Sequence, residues 1–212
     1  MPAPPERRPF RREAEDKRRD DLIAAVLDLV CEGGTDAATV RAIAERAGVT
    51  PGLIRHHFGE KDALMRAAYA RLVDGMVSPC LAAAAAAGPA PAARLCAFLT
   101  AALRPPVLDP RSVGVWAAYM HRTRADAHLR AAHEDGYLSF RNALQDLIAA
   151  LPRPPASPRD AAIALNALLD GLWLEGGLLP DRFAAGELER IALSAAARLL
   201  DTDLTATEGP SP

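Results

Sequence analysis

The 212-residue sequence predicts an all-α fold, in which an N-terminal three-helix domain with a helix-turn-helix precedes a larger C-terminal helical domain, about nine helices in total. Apolar residues recur at helical spacing through most of the chain, and no segment shows the strict alternation of a half-buried strand. Glycine and proline clusters separate the periodic segments. The length is sufficient for one small module and one larger domain with its own core.

The first predicted helix covers residues 17–32 and is expected to support the helix-turn-helix. Its apolar residues share one face at helical spacing; they are Leu22, Ile23, Val26, Leu27 and Val30. Gly33 and Gly34 are expected to end this helix.

Residues 1–16 are predicted to form a basic, disordered arm, because their charged composition cannot bury a core. Arg7, Arg8, Arg11 and Arg12 give the arm its positive charge. An arm of this kind can follow phosphates or enter a minor groove. The acidic residues among the arginines leave a merely solvated tail as an equal alternative.

Residues 39–58 predict two short helices joined by a turn, which is a helix-turn-helix motif. Thr39 is suited to cap the first helix, and Gly48 supplies the left-handed conformation that turns the chain. Thr50 is suited to cap the second helix, and Pro51 fits its first position, where the missing N–H has no helical partner in any case.

The second helix of the motif is basic, which is typical of proteins that read double-stranded DNA in the major groove. Gly52 permits close approach, the Arg55 fork matches the two acceptors of guanine, and His56 can donate to a base edge or a phosphate. Lys61 begins the next helix, where a cation opposes the helix dipole and a nearby phosphate would explain it. The alternative is a simple packing unit with Arg55, His56 and His57 as a solvated face. No metal site is expected, because adjacent imidazoles on a helix point about 100° apart.

This motif resembles the N-terminal domain of the tetracycline-repressor (TetR) family, which typically carries the pattern T-x-x-x-I-A-x-x-A-G-V-[ST]-x-G-x-[LI]-Y-x-[HY]-F-x-x-K-x-x-L. The matching residues are Thr39, Ile43, Ala44, Ala47, Gly48, Val49, Thr50, Gly52, Ile54, His57, Phe58, Lys61 and Leu64. The backbone-contacting positions implied by the resemblance are Thr39, Thr50, His57 and Lys61. The base-facing positions it implies are Pro51, Gly52, Arg55 and His56. Arg55 stands where many members carry a tyrosine that touches the DNA backbone, which favours a base-reading role here.

Charge and cysteine content restrict the setting in which such a protein works. The net charge of −2 is not the positive field of a non-specific DNA packager, so affinity for DNA must come from local clusters. The three cysteines are odd in number and in no paired spacing, which favours a reducing compartment over disulfides or zinc. No stretch is expected to supply the ~20 apolar residues of a membrane span. We therefore expect a cytoplasmic protein with no membrane partner, metal or cofactor.

The rest of the chain is predicted to be helical as well. A helix over 61–77, ended by Pro79, would complete the domain at 17–77, and the alanine-rich stretch at 81–87 would be a short helix or connector. The C-terminal domain is expected at 78–203 and a disordered tail at 204–212. The predicted helices of the C-terminal domain cover 90–103, 110–124, 126–151, 158–178 and 184–201.

Most of the sparse aromatic residues lie in this C-terminal domain, at spacings that let each group share a helix face. They predict a cavity for a small-molecule effector, lined by aromatic and apolar groups with an acid. The candidate lining residues are Trp116, Tyr119, Met120, Tyr137, Phe140, Asp170 and Trp173. Ordinary core packing is the alternative.

Residues 110–200, and especially DGLWLEGGL at 170–178, are similar to the C-terminal domain of choline-responsive (BetI-type) repressors, which carry a D-G-L-W-L-x-G-x-L run. The resemblance implies an effector that is a quaternary-ammonium compound, and aromatic faces with a carboxylate are the groups that recognise such a cation. The same run also suits dimer packing, with Gly171 allowing close helix approach.

These observations predict a ligand-responsive homodimer that represses transcription, binds a palindromic operator and is released by a small effector. A dimer is favoured over a monomer because its two-fold symmetry matches a palindromic site. A DNA-binding regulator without an effector is one alternative. An all-helical enzyme is another, but the histidines at 121, 128 and 133 do not share one face and no nucleophile has a base nearby.

Overall fold

The computed structural model describes residues 8–204, with side chains from residue 15 onward, and this part of the chain contains nine α-helices, one 3-10 turn and no strand. The helices are α1 (Arg8–Ala37), α2 (Val40–Arg46), α3 (Pro51–Phe58), α4 (Lys61–Ala86), α5 (Pro91–Ala102), α6 (Pro110–Thr123), α7 (Ala127–Ala149), α8 (Pro158–Leu178) and α9 (Glu187–Leu200). The all-α prediction is confirmed, and α5 to α9 lie within a few residues of their predicted ranges. Residues 1–7 of the predicted arm and 205–212 of the predicted tail lie outside the described residues.

Helix α1 begins at Arg8, so the prediction of a disordered arm is wrong for the residues that follow. Arginine, glutamate and alanine dominate residues 8–16 and are strong helix formers, so helix propensity outweighs the charged composition there. The predicted break is present, since Gly33 (φ −148°) and Gly34 (φ +72°) leave the helical conformation.

Helix α4 runs through Pro79 to Ala86, so the prediction that Pro79 ends the helix is wrong. Proline removes one N–H donor from the helix, but the segment that follows is rich in alanine, the residue type with the highest helix propensity. Val77, Cys80 and Ala84 are buried on the same face and hold this second half of the helix in place. The chain leaves the helix at Gly88, where φ is +81°.

Two hydrophobic clusters form the interior, and α4 contributes to both. The N-terminal cluster joins α1, α2 and α3 to the first half of α4, and it also takes Val115, Tyr119 and Leu129 from α6 and α7. The C-terminal cluster packs the second half of α4 against α5, α7, α8 and α9. A single long helix therefore connects the helix-turn-helix with the core of the C-terminal helices.

Helix α8 has the length and composition of a membrane span, contrary to the sequence expectation. Leu165, Leu169 and Trp173 are nevertheless buried in the C-terminal cluster. Near its end, Gly177 allows close approach to α6, since a Cβ there would lie 2.2 Å from Val113 Cγ2.

This contact predicts opposite effects for two glycine substitutions. Gly177→Ala is expected to destabilise the protein by about 1–3 kcal/mol, because the added methyl group overpacks the interface with Val113. Gly114→Ala, in the interior of α6, is expected to stabilise it by about 0.5–1 kcal/mol, because nothing lies within 4 Å of the new Cβ and the unfolded chain loses freedom. Urea unfolding monitored by circular dichroism measures both, and equal effects would contradict the packing argument.

Candidate nucleic-acid interface and ligand cavity

The helix-turn-helix has the turn and the Thr39 cap that the sequence predicts, whereas Thr50 stands at the N-cap position without a side-chain capping bond. Thr39 caps α2, where its hydroxyl accepts a hydrogen bond from the Ala42 amide at 3.2 Å. Gly48 has φ +64° in the turn between the helices. Thr50 precedes α3 in an extended conformation, with Pro51 at the first helical position.

The outer face of α3 is open. Pro51, Gly52, Arg55 and His56 are exposed, and Arg55 makes no salt bridge among the described residues. A Cβ at Gly52 would meet only the Thr50 hydroxyl, at 4.0 Å. This hydroxyl makes no capping bond, so it is available to an external acceptor. The side chains suited to base edges therefore share one accessible surface.

Two further residues of the predicted interface lie at its border. His57 is half-buried, with its ring 5.1 Å from that of His56. Lys61 is the first residue of α4 and lines a shallow groove with Pro51, Gly52 and Arg55. The N-terminus of α4 therefore lies beside the exposed face of α3.

Contacts with α1 hold the motif in position. The Arg46 guanidinium at the end of α2 donates to both Glu32 carboxylate oxygens, at 2.8 and 2.6 Å, and this hydrogen bonding lowers the pKa of Glu32. Arg19 stacks over the Phe58 ring, 4.5 Å from its centroid, at the end of α3. The recognition face is thus oriented by polar contacts at its edges and by buried Ile54 beneath it.

A cavity of about 90 Å³ lies between α4, α6, α7 and α8. Its lining residues are Val73, Met76, Val77, Ala102, Val107, Trp116, His133, Gly136, Tyr137, Phe140, Asn166, Leu169, Asp170 and Trp173. The wall is mostly apolar and aromatic, and its polar groups come from α7 and α8. The volume suits a compact molecule rather than a drug-sized one.

Three side chains form the polar side of the cavity. The Tyr137 hydroxyl donates to Asp170 Oδ2 at 2.8 Å, and Asn166 Nδ2 donates to the same oxygen at 3.0 Å and to the Tyr137 hydroxyl at 2.7 Å. Partial burial of the carboxylate raises the pKa of Asp170 despite these hydrogen bonds. Asp170 has no salt-bridge partner among the described residues, so the cavity presents a partly desolvated negative charge.

The aromatic side of the cavity is held by contacts within the C-terminal cluster. Trp173 donates from Nε1 to the Val107 carbonyl at 2.9 Å, and its ring lies edge-on to Trp116 with centroids 5.8 Å apart. Phe140 packs against Phe98 at 4.7 Å. These contacts fix the ring faces that line the space.

A buried tyrosine connects α4 with the cavity wall. Tyr69 is fully buried in the N-terminal cluster, and its hydroxyl shares a hydrogen bond of 2.9 Å with His133 Nδ1. Burial raises the pKa of Tyr69 to about 12, so the hydroxyl is protonated at neutral pH. His133 therefore contacts both the cavity and the core beneath the helix-turn-helix.

The predicted lining residues divide into two groups. Trp116, Tyr137, Phe140, Asp170 and Trp173 surround the cavity. Tyr119 and Met120 do not, and their assignment to the cavity is wrong. Tyr119 is fully buried in the N-terminal cluster and donates to the Met65 carbonyl at 3.1 Å, and Met120 packs against the same cluster. The reason is that α6 crosses from one cluster to the other within a single turn, which helical spacing alone does not reveal.

Several cavity residues were not found from the sequence. Val73 and Met76 come from α4, far away along the chain, and no local pattern connects them with α7 or α8. Asn166 carried a usable signal, because it is a lone amide among the apolar residues of α8 and is only 2% exposed. From the sequence alone, His133 is a candidate only for catalysis.

Metal and disulfide chemistry find no support in the described part of the chain. No group of three or more His, Cys, Asp or Glu side chains between residues 15 and 204 could hold a metal ion. No disulfide joins Cys31, Cys80 or Cys96 within the described residues, and the last two are buried.

Comparison with known proteins covers both halves of the chain. Residues 22–68 match the family model for bacterial regulatory proteins of the tetR family, and residues 91–201 match the model for the C-terminal domain of BetI-type transcriptional repressors. The HTH-type transcriptional regulator BetI of Stenotrophomonas maltophilia is 34% identical over 182 residues, which cover 84% of this chain and 90% of that protein. The regulator of the same name from Burkholderia thailandensis is 33% identical over 162 residues, covering 76% of this chain and 82% of its own length.

Solved structures show the same fold. A transcriptional regulator from Pseudomonas aeruginosa PAO1 superimposes with a TM-score of 0.80 at 31% identity, covering 92% of this chain and 95% of its own. A regulator from Saccharomonospora viridis in complex with choline has a TM-score of 0.73 at 17% identity, covering 86% of this chain and 96% of its own. With the helix-turn-helix intact and both family models matched, the chain belongs to the TetR family of DNA-binding transcriptional regulators, with a BetI-type C-terminal domain, and is not an enzyme.

Proposed function

We propose that this regulator is a cytoplasmic homodimer that represses transcription from a palindromic operator and is released when a small organic cation occupies the cavity. The observation that carries the proposal is the Asp170 carboxylate in an aromatic cavity bordered by α4. Desolvation raises the pKa of Asp170 although His133 attracts its charge, and it has no salt-bridge partner among the described residues. Occupation of such a site and movement of α4 are naturally linked, because α4 begins at the DNA-facing Lys61.

DNA recognition would divide between two sets of side chains. Arg55 and His56, with Gly52 and Pro51 beside them, are suited to base edges. Thr39, Thr50, His57 and Lys61 are suited to phosphates, which set the register of the protein on DNA. Arg55 is exposed and without an ion-pair partner in the described chain, so its fork is available for the two acceptors of a guanine.

The effector is a compact cation of the quaternary-ammonium class. Trp116, Phe140, Tyr137 and Trp173 provide aromatic faces for a cation, and Asp170 provides the opposite charge. The solved regulator from Saccharomonospora viridis binds choline. The resemblance of residues 110–200 to choline-responsive repressors implies the same chemical class, and residues 91–201 match the BetI-type model. A couple of kcal/mol of preference for one dimer geometry suffices, since typical couplings change affinity about 5- to 150-fold.

Dimerisation is proposed through α8 and α9. An apolar stripe follows the outer side of α8, formed by Ile163, Ala167, Gly171, Leu174 and Leu178. Leu178 is 67% exposed and Leu199 on α9 is 46% exposed. A Cβ at Gly171 would meet nothing within 4 Å, so the stripe has room for a second helix. A second copy is the expected partner, because one recognition helix contacts only a few base pairs and a two-fold dimer doubles the site.

Two substitutions are expected to separate base reading from phosphate binding. Arg55→Ala should weaken specific operator binding by about 1–3 kcal/mol and relax the base preference at one position. Lys61→Ala should weaken binding to all sequences by a similar factor and lower the salt dependence by about one counterion. Fluorescence anisotropy on DNA selected with the purified protein, at several salt concentrations, measures both. Arg130→Ala, on the exposed side of α7, is the control, and unchanged specific affinity in both test variants would contradict the assignment.

Removing the charge of Asp170 is expected to remove the preference for a cation. Asp170→Asn should weaken choline binding by about ten- to a hundredfold in isothermal titration calorimetry, or ~1.4–2.8 kcal/mol, because the quaternary ammonium loses its Coulomb attraction to the carboxylate. Asp146→Asn, a carboxylate on α7 outside the cavity, is the control. Wild-type affinity should fall as the pH is lowered through the raised pKa of Asp170, because the neutral carboxyl no longer attracts the cation, whereas the asparagine variant should show no such fall.

The apo protein should show the opposite trend in stability. Because the folded state raises the pKa of Asp170, the wild type loses stability relative to Asp170→Asn as the pH rises through that pKa. Thermal unfolding of both proteins from acid to neutral pH measures this difference. A wild type that binds choline no better than the asparagine variant at neutral pH would contradict the role of Asp170, and failure of both proteins to bind choline would favour the effector-free regulator.

A charge in the apolar stripe is expected to break the dimer. Ala167→Glu should give a monomer in analytical ultracentrifugation and lower operator affinity by at least tenfold, because two like charges would face each other across the two-fold axis. Ala82→Glu, an exposed alanine of α4, provides a matched control that should remain dimeric. A dimeric Ala167→Glu protein would move the interface to another surface.

A further inference from the structure

Helix α4 lines the cavity and also packs against the helix-turn-helix. Val73, Met76 and Val77 of this helix line the cavity, and Tyr69 lies one turn nearer to its DNA-facing end. A molecule in the cavity therefore touches the helix that carries Lys61. What decides the response is how α4 is attached to the opposite wall.

Helix α7 holds α4 at two adjacent points. At the first, the Tyr69 hydroxyl and His133 Nδ1 are hydrogen-bonded at 2.9 Å. At the second, one turn further on both helices, the backbone of Gly136 lies so close to Val73 that a Cβ would fall 2.0 Å from Cγ1. The second contact sets the distance between the helices, and the first is a directional bond that a small rotation can break.

Each partner of the hydrogen bond faces a different part of the molecule. Tyr69 is fully buried in the N-terminal cluster, with its ring 4.9 Å from that of Tyr119. His133 lines the cavity, 6.0 Å from the ring of Tyr137, whose hydroxyl donates to Asp170. A continuous path of rings and hydrogen bonds thus joins the cavity carboxylate to the core beneath the recognition helix.

We propose that His133 is a positioning residue that transmits occupation of the cavity to α4 through Tyr69. This inference rests on the proposed function, since it concerns the regulation of the same cavity. In the empty protein the bond holds α4 in the position that binds the operator. A cation seated against Asp170 and Tyr137 shifts the imidazole, and the buried Tyr69 hydroxyl must then move with it or lose its partner. Because a buried hydroxyl without a partner is unfavourable, α4 follows.

The two buried tyrosines offer a matched pair of variants. Tyr69→Phe removes only the hydroxyl that bonds to α7. Tyr119→Phe removes a hydroxyl of the same core, which bonds to the Met65 carbonyl and not to α7. The quantity to measure is the ratio of operator dissociation constants with and without saturating choline, together with choline affinity in the absence of DNA.

Tyr69→Phe is expected to bind choline within about twofold of the wild type while the coupling ratio falls at least threefold from its typical range of about 5 to 150. Tyr119→Phe is expected to keep the wild-type ratio. A merely structural role of Tyr69 would change thermal stability and leave the ratio intact. A wild-type ratio in Tyr69→Phe, or an equal fall in both variants, would overturn the proposal.

A second arm needs no effector. Gly136→Ala forces α7 away from Val73, and it is expected to weaken operator binding in the wild-type background much more than in Tyr69→Phe. In a double-mutant cycle, the double variant should therefore lose less operator affinity than the product of the two single losses. Should circular dichroism show Gly136→Ala to be unfolded, Val73→Ile closes the same cycle from the other side of the contact.

The two arms distinguish the possible failures. A wild-type protein whose operator binding ignores choline contradicts the proposed effector class, and the cycle still decides the role of the hydrogen bond. Effects that multiply independently in the cycle would overturn the role of His133, whatever choline does.

Discussion

The constraint on which the structure depends is that one rigid helix is buried in two separate clusters. Leu64, Met65 and Tyr69 anchor the first half of α4 beneath the helix-turn-helix, and Cys80 and Ala84 anchor its second half among the C-terminal helices. Close-packed interiors do not deform continuously, so a displacement at one end is passed along the helix rather than absorbed. The cavity lies against the middle of this helix, where a change in its content acts on both clusters at once.

The polar groups of the cavity wall form hydrogen bonds with one another, but the negative charge of Asp170 has no salt-bridge partner among the described residues. Asn166 and Tyr137 donate to the Asp170 carboxylate, and this gives the buried Asn166 amide its partner, but a neutral amide and a hydroxyl do not neutralise a negative charge. Because desolvation raises the pKa of Asp170, its ionised form costs the folded state some stability, and the proposed cationic effector would supply the missing charge.

Local signals predicted the recognition motif well, and tertiary packing explains what they did not predict. Thr39, Gly48 and Pro51 act through contacts within one turn of the chain, so their types and spacing were sufficient. The α4 wall of the cavity depends on contacts across more than fifty residues of sequence, such as that between Tyr69 and His133, for which periodicity carries no information. Pro79 failed as a helix-ending signal because burial of the neighbouring face outweighed one missing hydrogen bond.

Tyr119, which was predicted to line the cavity but lies in the N-terminal cluster, belongs to a second connection between the two clusters. Trp116 of α6 touches Trp173 in the cavity wall, and Tyr119 one turn later reaches the Met65 carbonyl of α4. Beyond it, Arg122 pairs with Asp62 at 3.2 Å, next to Lys61 at the N-terminal end of α4. This pair is partly exposed and is therefore screened by salt, so it adds little to the stability of the interface. Burial holds α4 between the clusters and the ion pair only orients its end, and a helix held in this way can tilt without any large contact being lost.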